Sequence, residues 1–412
     1  PTLEALAALS GGTLRNAPTQ PLTIKEIALD SSKIAPGGLF AALPGTRVHG
    51  ATFAKECLAG AIFTDRAGAE ILESQGEHRP VLVVEDVRAV LGDVSAEVYG
   101  HPSEQMTLLG VTGTSGKTTV TYMLEKGLEA AGAKVGLIGT TGTKILGEPV
   151  PTSLTTPEAP TLQALFRRML EAGVTHVVME VSSHALMLGR VSGTSFDVAG
   201  FTNLSQDHLD FHHSMEEYFE AKALFFDPSS RSAAKRAVVC VDDEWGERMA
   251  ERAHEPVRVG TRGQSGLDVS AKQLSVDTTG AQEISLSTPS STLTLRLQMP
   301  GAFNVANAAL ATAMAYTAGI DVDVFIGGLA QAQVPGRMER IDCGQPFVAV
   351  VDYAHKPAAI AAVLDTLREQ VTGRVGVAVG AGGDRDTSKR VIMGRESAKR
   401  ADFVVVTDDN PR

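Results

Sequence analysis

The feature that most constrains this chain is a glycine-rich segment between a predicted buried strand and a predicted helix. Residues 110–119 read Gly-Val-Thr-Gly-Thr-Ser-Gly-Lys-Thr-Thr, after a short apolar run at 106–109 and before apolar residues at helical spacing. In such a strand–turn–helix unit, backbone N–H groups at the helix N-terminus bind phosphate, while the lysine contacts the outer phosphates. The segment therefore predicts a nucleotide-binding loop made of Gly113, Thr114, Ser115, Gly116, Lys117, Thr118 and Thr119.

The loop departs from the usual spacing at one position. Val111 stands where a glycine is expected, five residues before Gly116, so the first turn glycine is Gly113. An ordinary glycine-rich turn is the alternative interpretation, but Gly-Lys-Thr-Thr at a predicted helix start favours phosphate binding. We therefore expect a shortened variant of the loop, in which the Thr118 hydroxyl binds a magnesium ion.

Composition and charge argue against several classes of protein. The 412 residues suggest about three domains, taking roughly 150 residues for each. A net charge of −11 argues against non-specific nucleic-acid binding, which depends on a basic surface. Three isolated cysteines favour a reduced, cytoplasmic setting, no N-terminal stretch resembles a signal peptide, and no apolar run is long enough to span a bilayer. We expect neither a nucleic-acid partner nor a membrane partner.

The order of predicted elements indicates three units. Residues 1–104 form a small α/β unit. Residues 105–333 alternate strands and helices, which predicts a mostly parallel sheet with ligands at the carboxyl ends of its strands, and 255–300 are predicted to add antiparallel strands. Residues 334–412 form a third α/β unit that looks incomplete. Because the chain begins with Pro1 and stops directly after a predicted strand, we expect it to be part of a longer protein.

Two segments of the central unit carry candidate metal ligands. Glu180 ends a predicted strand at the edge where the glycine-rich loop lies, and a carboxylate there can bind nucleotide-associated magnesium. The alternative is an ordinary polar strand end, but the following Ser182-Ser183-His184 favours a ligand site. Residues 207–213, Asp-His-Leu-Asp-Phe-His-His, match no zinc signature, so we expect one of these histidines to contribute to a magnesium site.

Lys222 lies on the apolar face of a predicted helix that Ser214 and Glu217 cap and that runs to residue 226. A buried unpaired ammonium is costly, whereas a neutral amine there would be reactive. Two interpretations stay open on these residues alone. The lysine can extend its apolar stem and keep its charge in water, or it can be carboxylated by carbon dioxide and bind a metal through the carbamate.

Hydroxyl and arginine side chains at other predicted element ends mark possible anion sites. Thr155 and Thr156 precede a predicted helix start, although any N-cap looks similar. Arg385 follows a predicted strand at 375–379, and Arg412 follows one at 403–407. Arginines at two strand ends favour bidentate capture of a carboxylate over solvated loop charges.

Together with the glycine-rich loop, a set of short motifs resembles the Mur ligase family in content and order. The further motifs are Leu-Thr-Thr-Pro-Glu at 154–158, Glu-Val-Ser-Ser-His at 180–184, Asp-His-Leu-Asp at 207–210, Phe-Asn-Val-Ala-Asn at 303–307, Pro-Gly-Arg at 335–337, Asp-Tyr-Ala-His at 352–355 and Asp-Asn-Pro-Arg at 409–412. The resemblance implies a three-domain α/β architecture. Its parts are a UDP-substrate-binding domain at 1–104, a central P-loop ATPase domain at 105–333 and an incomplete Rossmann-like amino-acid-binding domain at 334–412.

The resemblance also implies a reaction. The family member most similar to this sequence is an ATP-dependent ligase of peptidoglycan synthesis that adds meso-diaminopimelate to UDP-N-acetylmuramoyl-L-alanyl-D-glutamate through an acyl phosphate. ATP would be the co-substrate and Mg²⁺ the cofactor, in a cytoplasmic monomer. The final Asp-Asn-Pro-Arg is the version associated with meso-diaminopimelate. Alternatives are the same reaction with L-lysine, a ligase like folylpolyglutamate synthase, and a nucleotide-binding switch without amide chemistry.

Residue roles follow from the resemblance in the same way. Substrate contacts fall on Leu29, Ser31, Thr46 and Arg47 for the UDP end, on Thr155, Thr156, Ser182 and Arg190 for the muramoyl dipeptide, and on Arg385, Asp409, Asn410, Pro411 and Arg412 for the amino acid. Nucleotide contacts beyond the glycine-rich loop fall on Asn304, Asn307, Arg337 and Asp352. Magnesium ligands fall on Thr118, Glu180, His208 and carboxylated Lys222, and the catalytic residues are Lys117, Lys222, His208 and Arg337.

Overall fold

The computed structural model describes residues 1–207, 211–277, 280–341, 343–381 and 388–408. The predictions for six site residues therefore lie outside the described residues: His208, Arg385, Asp409, Asn410, Pro411 and Arg412. None of the helices in the described part of the chain combines the length and apolar character that crossing a lipid bilayer requires.

The N-terminal part of the chain, described without a gap up to residue 207, first forms a five-stranded sheet in the order β1-β5-β4-β3-β2. The strands are β1 (Thr13–Arg15), β2 (Ile27–Ala28), β3 (Leu39–Ala42), β4 (Ala61–Asp65) and β5 (Val81–Val84), with helices α1 (Leu3–Ser10), α2 (Arg66–Ser74) and α3 (Val87–Tyr99). Strands β2 to β5 run parallel, and β1 is antiparallel to β5. Short 3-10 helices span Gly50–Glu56 and Pro102–Gln105.

The central sheet has eleven strands over the residues that the structure describes, in the order β16-β15-β14-β13-β12-β11-β6-β10-β7-β8-β9. They are β6 (Thr107–Thr112), β7 (Val135–Gly139), β8 (Gly142–Ile145), β9 (Glu148–Val150), β10 (His176–Glu180), β11 (Val198–Phe201), β12 (Arg236–Cys240), β13 (Val257–Gly260), β14 (Val269–Val276), β15 (Gln282–Ser287) and β16 (Thr292–Leu297). Seven adjacent strands of this sheet, in the order β14-β13-β12-β11-β6-β10-β7, are parallel to their neighbours, which confirms the mostly parallel sheet.

Helices cover both faces of the central sheet. They are α4 (Lys117–Ala130), α5 (Ala159–Glu171), α6 (Ser183–Met187), α7 (Met215–Ala223), α8 (Glu244–Arg252), α9 (Ala302–Thr317) and α10 (Val322–Leu329). Side chains of β6 alternate between two apolar clusters, because successive strand residues point to opposite faces. Leu109 and Val111 pack with α4, α9 and α10, whereas Leu108 packs with α5, α7 and α8. A strand buried on both faces explains the continuous apolar run at this point.

The antiparallel prediction for residues 255–300 is partly wrong. β13 is parallel to β12, and β14 begins parallel to β13, so only the β14–β15–β16 pairs are antiparallel. The reason is α8, a charged helix between β12 and β13 that the sequence reasoning overlooked. A helix in this position supplies the crossover that a parallel strand pair needs.

The C-terminal part contains two smaller strand pairs in its described residues. β17 (Glu339–Ile341) and β18 (Ala349–Val351) are antiparallel, and β19 (Gly376–Val379) and β20 (Phe403–Val406) are parallel. Helix α11 (Pro357–Gln370) precedes β19, and α12 (Ser388–Arg400) connects β19 to β20. The strand–helix–strand order of this region agrees with the predicted α/β unit.

Candidate active site

The glycine-rich loop leaves the carboxyl end of β6 and leads into α4, which confirms the predicted strand–turn–helix unit. Because β6 pairs with β10 on one side and β11 on the other, the loops that follow these three strands meet at one edge of the sheet. Gly113 (φ +144°) and Gly116 (φ +90°) adopt backbone angles that side chains disfavour. Gly116 is the N-cap residue of α4, so the first N–H groups of this helix face the loop.

The loop that follows β11 braces the glycine-rich loop, which the sequence reasoning did not foresee. The Asn203 side chain accepts a hydrogen bond from the Ser115 N–H (3.1 Å) and donates one to the Ser115 carbonyl (3.2 Å). The Asn203 carbonyl accepts from the Thr114 N–H (2.9 Å), and the Thr202 hydroxyl donates to the Ser115 carbonyl (2.7 Å). A threonine and an asparagine as the first two residues after a buried strand, at the edge where ligands gather, were the available signal.

The close approach of Gly113 to Thr202 supports a first testable prediction. A Cβ atom at Gly113 would lie 1.8 Å from the Thr202 hydroxyl oxygen, whereas one at Gly142, which also has positive φ, would meet open space. We expect Gly113→Ala to lower the free energy of unfolding by about 2 kcal/mol more than Gly142→Ala does, and to weaken nucleotide binding. Chemical denaturation and calorimetric titration with ATP measure the two effects. Equal losses in the two variants would contradict the prediction.

Glu180 ends β10 beside the start of α4, and only 1% of its surface is exposed. Its Oε1 atom accepts hydrogen bonds from the Thr118 hydroxyl (2.9 Å) and the Thr140 N–H (2.8 Å), and its Oε2 atom accepts one from the Thr140 hydroxyl (3.1 Å). The structure therefore brings Thr118 and Glu180 together. Their oxygen atoms are of the type that Mg²⁺ prefers, so the pair fits that ion.

Of the other expected metal ligands, the described residues include Lys222 but not His208. His208 is outside the described residues, and within the described ranges no group of three or more His, Cys, Asp or Glu side chains forms a possible metal site. The Glu180 carboxylate accepts two of its three hydrogen bonds from Thr140, a residue that the sequence reasoning missed. Its position directly after β7, a parallel neighbour of β10, was the signal that could have found it.

The Lys117 ammonium lies over the glycine-rich loop. Its Nζ atom donates hydrogen bonds to the carbonyls of Gly113 (2.8 Å) and Thr114 (3.1 Å). Burial lowers the pKa of Lys117 below its ordinary value, and the Glu180 carboxylate acts in the opposite direction. A phosphate would give this ammonium an anionic partner in addition to neutral carbonyls, and charge-assisted hydrogen bonds are the stronger kind.

Lys222 is buried against the same loop, with 1% of its surface exposed. Its Nζ atom donates to the Gly113 carbonyl (3.0 Å) and lies 4.6 Å from the centroid of the Tyr218 ring. The pKa of Lys222 lies well below its ordinary value, mainly because the amine is buried and secondly because Lys117 is positively charged. The interpretation as a lysine that reaches water is therefore wrong. Helix α7 ends at Ala223 rather than at 226 as predicted, but this does not change the inward direction of Lys222.

The predicted dipeptide contacts also come together at this edge. The Thr155 and Thr140 hydroxyl oxygens are 3.2 Å apart, which brings Thr155 next to the Glu180 network. The Thr156 hydroxyl donates to the Glu180 carbonyl (2.8 Å) and accepts from the Ser182 N–H (3.2 Å). Thr156 therefore fixes the local backbone. The Ser182 hydroxyl caps α6 by accepting from the Ala185 N–H (3.1 Å).

Arg190 reaches the same group of residues from the turn after α6. Its Nη1 atom donates to the Thr156 carbonyl (3.4 Å), and its Nε atom lies 2.8 Å from Oε1 of Glu158. The contact with Glu158 is an ion pair without an aligned hydrogen bond, because the buried Nε–H has no hydrogen-bond acceptor along its direction. The guanidinium is thus held beside Thr155 and Thr156 by one carboxylate and one carbonyl.

Two of the predicted nucleotide contacts lie at the start of α9. Asn307 donates a hydrogen bond to the Asn304 side-chain oxygen (3.1 Å), and both side chains are buried. A Cβ atom at Gly116 would lie 2.5 Å from Oδ1 of Asn307, so this asparagine is packed directly against the glycine-rich loop.

The other two predicted nucleotide contacts belong to the C-terminal part. Asp352 accepts hydrogen bonds from the N–H groups of Met338 (2.7 Å) and Ala354 (2.8 Å), and the Arg337 guanidinium lies 4.3 Å from the centroid of the Tyr353 ring. An ion pair between Lys356 and Asp207 connects this region to the loop after β11. The C-terminal part thus faces the central site across a direct charged contact.

The predicted contacts for the UDP end follow neighbouring strands of the N-terminal sheet. Leu29 and Ser31 come after β2, and the exposed residues Thr46 and Arg47 come after β3. Because β2 and β3 are parallel, their carboxyl ends lie at the same edge. The Asp30 side chain orders this turn by accepting hydrogen bonds from the Ser32 N–H (3.0 Å) and hydroxyl (2.7 Å).

Comparison with known protein families yields three matches along the chain. A model described as "Mur ligase family, catalytic domain" matches residues 23–99, "Mur ligase middle domain" matches 111–315 and "Mur ligase, glutamate ligase domain" matches 336–412. The middle-domain match contains the glycine-rich loop, Glu180 and Lys222. The three matches follow one another in the same order as the three sheet regions described above.

Similar proteins agree with these matches. A UDP-N-acetylmuramoyl-L-alanyl-D-glutamate–2,6-diaminopimelate ligase of Corynebacterium efficiens is 62% identical over 100% of this chain and 79% of that protein, and one of Streptomyces avermitilis is 44% identical over 99% and 80%. A solved structure described by the same enzyme name has a TM-score of 0.73 and 30% identity over 96% of this chain and 80% of that chain. With these matches over its whole length, and with its glycine-rich loop and central sheet, this chain belongs to the Mur ligase family of ATP-dependent, amide-forming ligases.

Proposed function

We propose that this ligase joins meso-diaminopimelate to UDP-N-acetylmuramoyl-L-alanyl-D-glutamate in peptidoglycan synthesis. The observation that carries the proposal is the hydrogen-bonded network from Thr118 through Glu180 and Thr140 to Thr155, directly beside the glycine-rich loop. Such a network supports a triphosphate site that lies next to a site for a substrate carboxylate. Relatives 62% and 44% identical to this chain carry the name of this reaction.

ATP would bind with its phosphates on the N–H groups at the start of α4 and with Lys117 on the outer phosphates. The loop residues 113–119 would surround these phosphates. Asn304 and Asn307 support this assignment because Asn307 packs against Gly116. Arg337 and Asp352 would complete the nucleotide site from the C-terminal part, which the Lys356–Asp207 ion pair holds near the loop.

We assign the magnesium ion to Thr118 and Glu180, together with His208, which lies outside the described residues. The ion, when bound, offsets negative charge on the triphosphate. Lys222 is proposed as a further ligand in its carboxylated form. Its burial and lowered pKa support this assignment, because a neutral amine can add carbon dioxide, lose a proton and become a carbamate whose oxygens suit Mg²⁺.

The proposed chemistry has two steps. The terminal glutamyl carboxylate attacks the γ-phosphorus of ATP, which forms an acyl phosphate and releases ADP. An amine of diaminopimelate then attacks the acyl carbon, phosphate leaves with the electron pair of the broken bond, and the amine loses a proton. Lys117 and Arg337 would offset charge that develops during phosphoryl transfer. Approach of the C-terminal part to the glycine-rich loop would exclude water from the acyl phosphate.

The remaining substrate contacts are proposals of the same kind. Leu29, Ser31, Thr46 and Arg47 share one edge of the N-terminal sheet and would contact the UDP end. Thr155, Thr156, Ser182 and Arg190 would surround the dipeptide, with Thr156 and Ser182 acting mainly through the backbone that they fix. The amino acid would meet Arg385 and Asp409, Asn410, Pro411 and Arg412, where an arginine can pair with the distal carboxylate that distinguishes diaminopimelate from lysine.

Phosphate release tests the proposed function. We expect the protein to release phosphate from ATP at its full rate only when UDP-N-acetylmuramoyl dipeptide and meso-diaminopimelate are both present. Replacing diaminopimelate by L-lysine in the same assay measures amino-acid choice, and a direct competition between the two gives the ratio of their kcat/KM values. Full phosphate release without either substrate would contradict the proposal.

The same assay separates the alternatives. A ligase like folylpolyglutamate synthase would release phosphate with a folate and glutamate instead of the UDP-linked dipeptide. A nucleotide-binding switch would hydrolyse ATP without forming an amide product. The position of Arg190 and Thr155 beside the Glu180 network favours a ligase, because a switch needs no second anion site there.

The organisation and setting of the enzyme are proposed from the same observations. We propose functional divisions at residues 1–104, 105–333 and 334–412, supported by the separate sheets and the three family matches. The three free cysteines Cys57, Cys240 and Cys343 support a reduced, cytoplasmic setting, and we propose a monomer there. Analytical ultracentrifugation would measure the oligomeric state directly.

A further inference from the structure

We infer that Arg88, from the N-terminal part of the chain, is a positioning residue that keeps the Arg190 guanidinium available to the muramoyl dipeptide. This inference rests on the proposed function, because it takes Arg190 as a dipeptide contact. Arg88 acts through Glu158, whose carboxylate lies between the two arginines. The geometry therefore connects the sheet that would bind the UDP end to the site where the dipeptide would react.

The two oxygens of Glu158 face different arginines. Oε2 accepts a hydrogen bond from Nη1 of Arg88 (3.3 Å), while Oε1 lies 2.8 Å from Nε of Arg190. Both Glu158 and Arg190 are mostly shielded from water, with 21% and 17% of their side-chain surfaces exposed. A shielded carboxylate between two guanidinium groups interacts more strongly than an ion pair in open solvent.

Arg88 also holds the turn that carries Arg190. The same Nη1 atom donates a hydrogen bond to the Leu188 carbonyl (3.2 Å), two residues before Arg190. A planar guanidinium can bridge a carboxylate and a carbonyl at once because its N–H groups have fixed directions. Arg88 thus contacts both segments that bear predicted dipeptide residues, the start of α5 and the end of α6.

The backbone around this bridge leaves little room for movement. A Cβ atom at Gly92, one turn along α3, would lie 2.2 Å from the Ser192 carbonyl oxygen, and one at Gly193 would lie 2.4 Å from the Gly92 carbonyl oxygen. Helix α3 and the turn after α6 therefore approach at backbone distance. This contact fixes the position of the Arg88 backbone relative to Glu158 and Arg190.

Removal of Arg88 would change what Glu158 does. Without the hydrogen bond to its Oε2 atom, the carboxylate can rotate and present both oxygens to Arg190, a favourable bidentate arrangement for this pair. Arg190 would then direct its donors at Glu158 rather than at a substrate anion. In the intact protein, Arg88 prevents this rearrangement by holding one of the two oxygens.

The chain offers a matched control on the same helix. Asp93 of α3 forms an ion pair with Arg231, a residue of the segment between α7 and β12. This pair also joins α3 to the central part of the chain, but it includes neither Glu158 nor Arg190. Breaking it therefore tests whether any weakening of this interface has the same effect as loss of Arg88.

The test measures binding of UDP-N-acetylmuramoyl-L-alanyl-D-glutamate and of ATP by calorimetry. We expect Arg88→Met to raise the Kd for the UDP-linked dipeptide about three- to tenfold, Arg88→Lys to raise it less, and both to leave the Kd for ATP within about twofold. Arg231→Met should leave both constants unchanged. In the variant with both Arg88→Met and Glu158→Gln, the loss should be smaller than the product of the single effects, because the residues act through one contact.

Two results would overturn the inference. One is an Arg88→Met protein that binds the UDP-linked dipeptide as tightly as the parent, and the other is an Arg231→Met protein with the same loss. Melting temperatures of all variants show whether each protein is folded, and Arg88→Lys provides a second variant if Arg88→Met is not. If the parent protein itself fails to bind the UDP-linked dipeptide, it is the proposed function that fails.

Discussion

Replacement of Lys117 by methionine is expected to lower the rate of ATP-dependent ligation by about 10²–10³-fold, the range found when one group that stabilises transition-state charge is removed. Methionine keeps much of the apolar stem but removes the ammonium. In the structure that ammonium lies on the carbonyls of Gly113 and Thr114, at the loop that would surround the phosphates. The measurement is kcat for phosphate release with saturating UDP-linked dipeptide and diaminopimelate.

Lys126 provides the control for this substitution. It lies on the same helix, α4, and its ammonium donates a hydrogen bond to Glu129 (2.7 Å) away from the glycine-rich loop. Lys126→Met removes the same charge from the same helix and should leave kcat unchanged. A Lys117→Met protein that ligates within about threefold of the parent rate would show that the phosphates bind elsewhere, since threefold is less than 1 kcal/mol.

Lys222→Met is expected to abolish ligation without reducing stability. Loss of this proposed metal ligand should lower kcat by at least about 100-fold, because even the partners that orient metal ligands are worth 10–100-fold. The parent protein, by contrast, holds a long amine in a buried position with 1% of its surface exposed. Methionine fills a similar volume without a group that needs hydration, so the melting temperature should stay equal or rise.

The pH dependence of stability gives this prediction a second measurement. Burial and the charge of Lys117 lower the pKa of Lys222 in the folded protein, whereas the unfolded chain keeps a pKa of about 10.4. Between these two values the unfolded state binds more protons, so the free energy of unfolding should rise with pH. Lys222→Met should flatten this rise when carbon dioxide is excluded. Part of the slope should remain because burial also lowers the pKa of Lys117.

Labelled bicarbonate links the two measurements to the proposed modification. With ¹³C-bicarbonate, the parent protein should show a carbamate carbon signal that is missing in Lys222→Met. A parent protein without this signal, combined with full ligation activity, would exclude the carboxylated lysine. Retained ligation in Lys222→Met would show that the lysine is not required at all.

Much of the central fold was predictable because fully buried parallel strands appear in the sequence as short apolar runs. Residues 135–139 and 237–241, for example, correspond to β7 and β12 within one residue at each end. The strand–glycine–helix order around Gly113 predicts the shape of the loop, because Gly113 and Gly116 both adopt positive φ, which favours glycine. The same reasoning failed at α8 because five of its nine residues are charged, although the buried residues Gly246, Met249 and Ala250 are spaced along one helical face and could have revealed it.

The site was predictable where a residue type is itself unusual, and not where partners come from distant parts of the chain. A lysine among aromatic residues at 222 and a carboxylate at the end of a strand at 180 are visible without a structure. By contrast, the hydrogen bonds of Thr140 to Glu180 join residues 40 positions apart, and the bridge from Arg88 to Glu158 joins residues 70 positions apart. Such pairings depend on strand order and helix packing, which a single sequence does not specify.

The bracing of the glycine-rich loop by Thr202 and Asn203 has a thermodynamic consequence. Four hydrogen bonds join these two residues to the backbone of Thr114 and Ser115. A triphosphate that binds at this loop, as proposed, would therefore meet a backbone that is already held in place. Little conformational entropy is lost from the loop on association, so a larger share of the phosphate contacts is expressed as affinity.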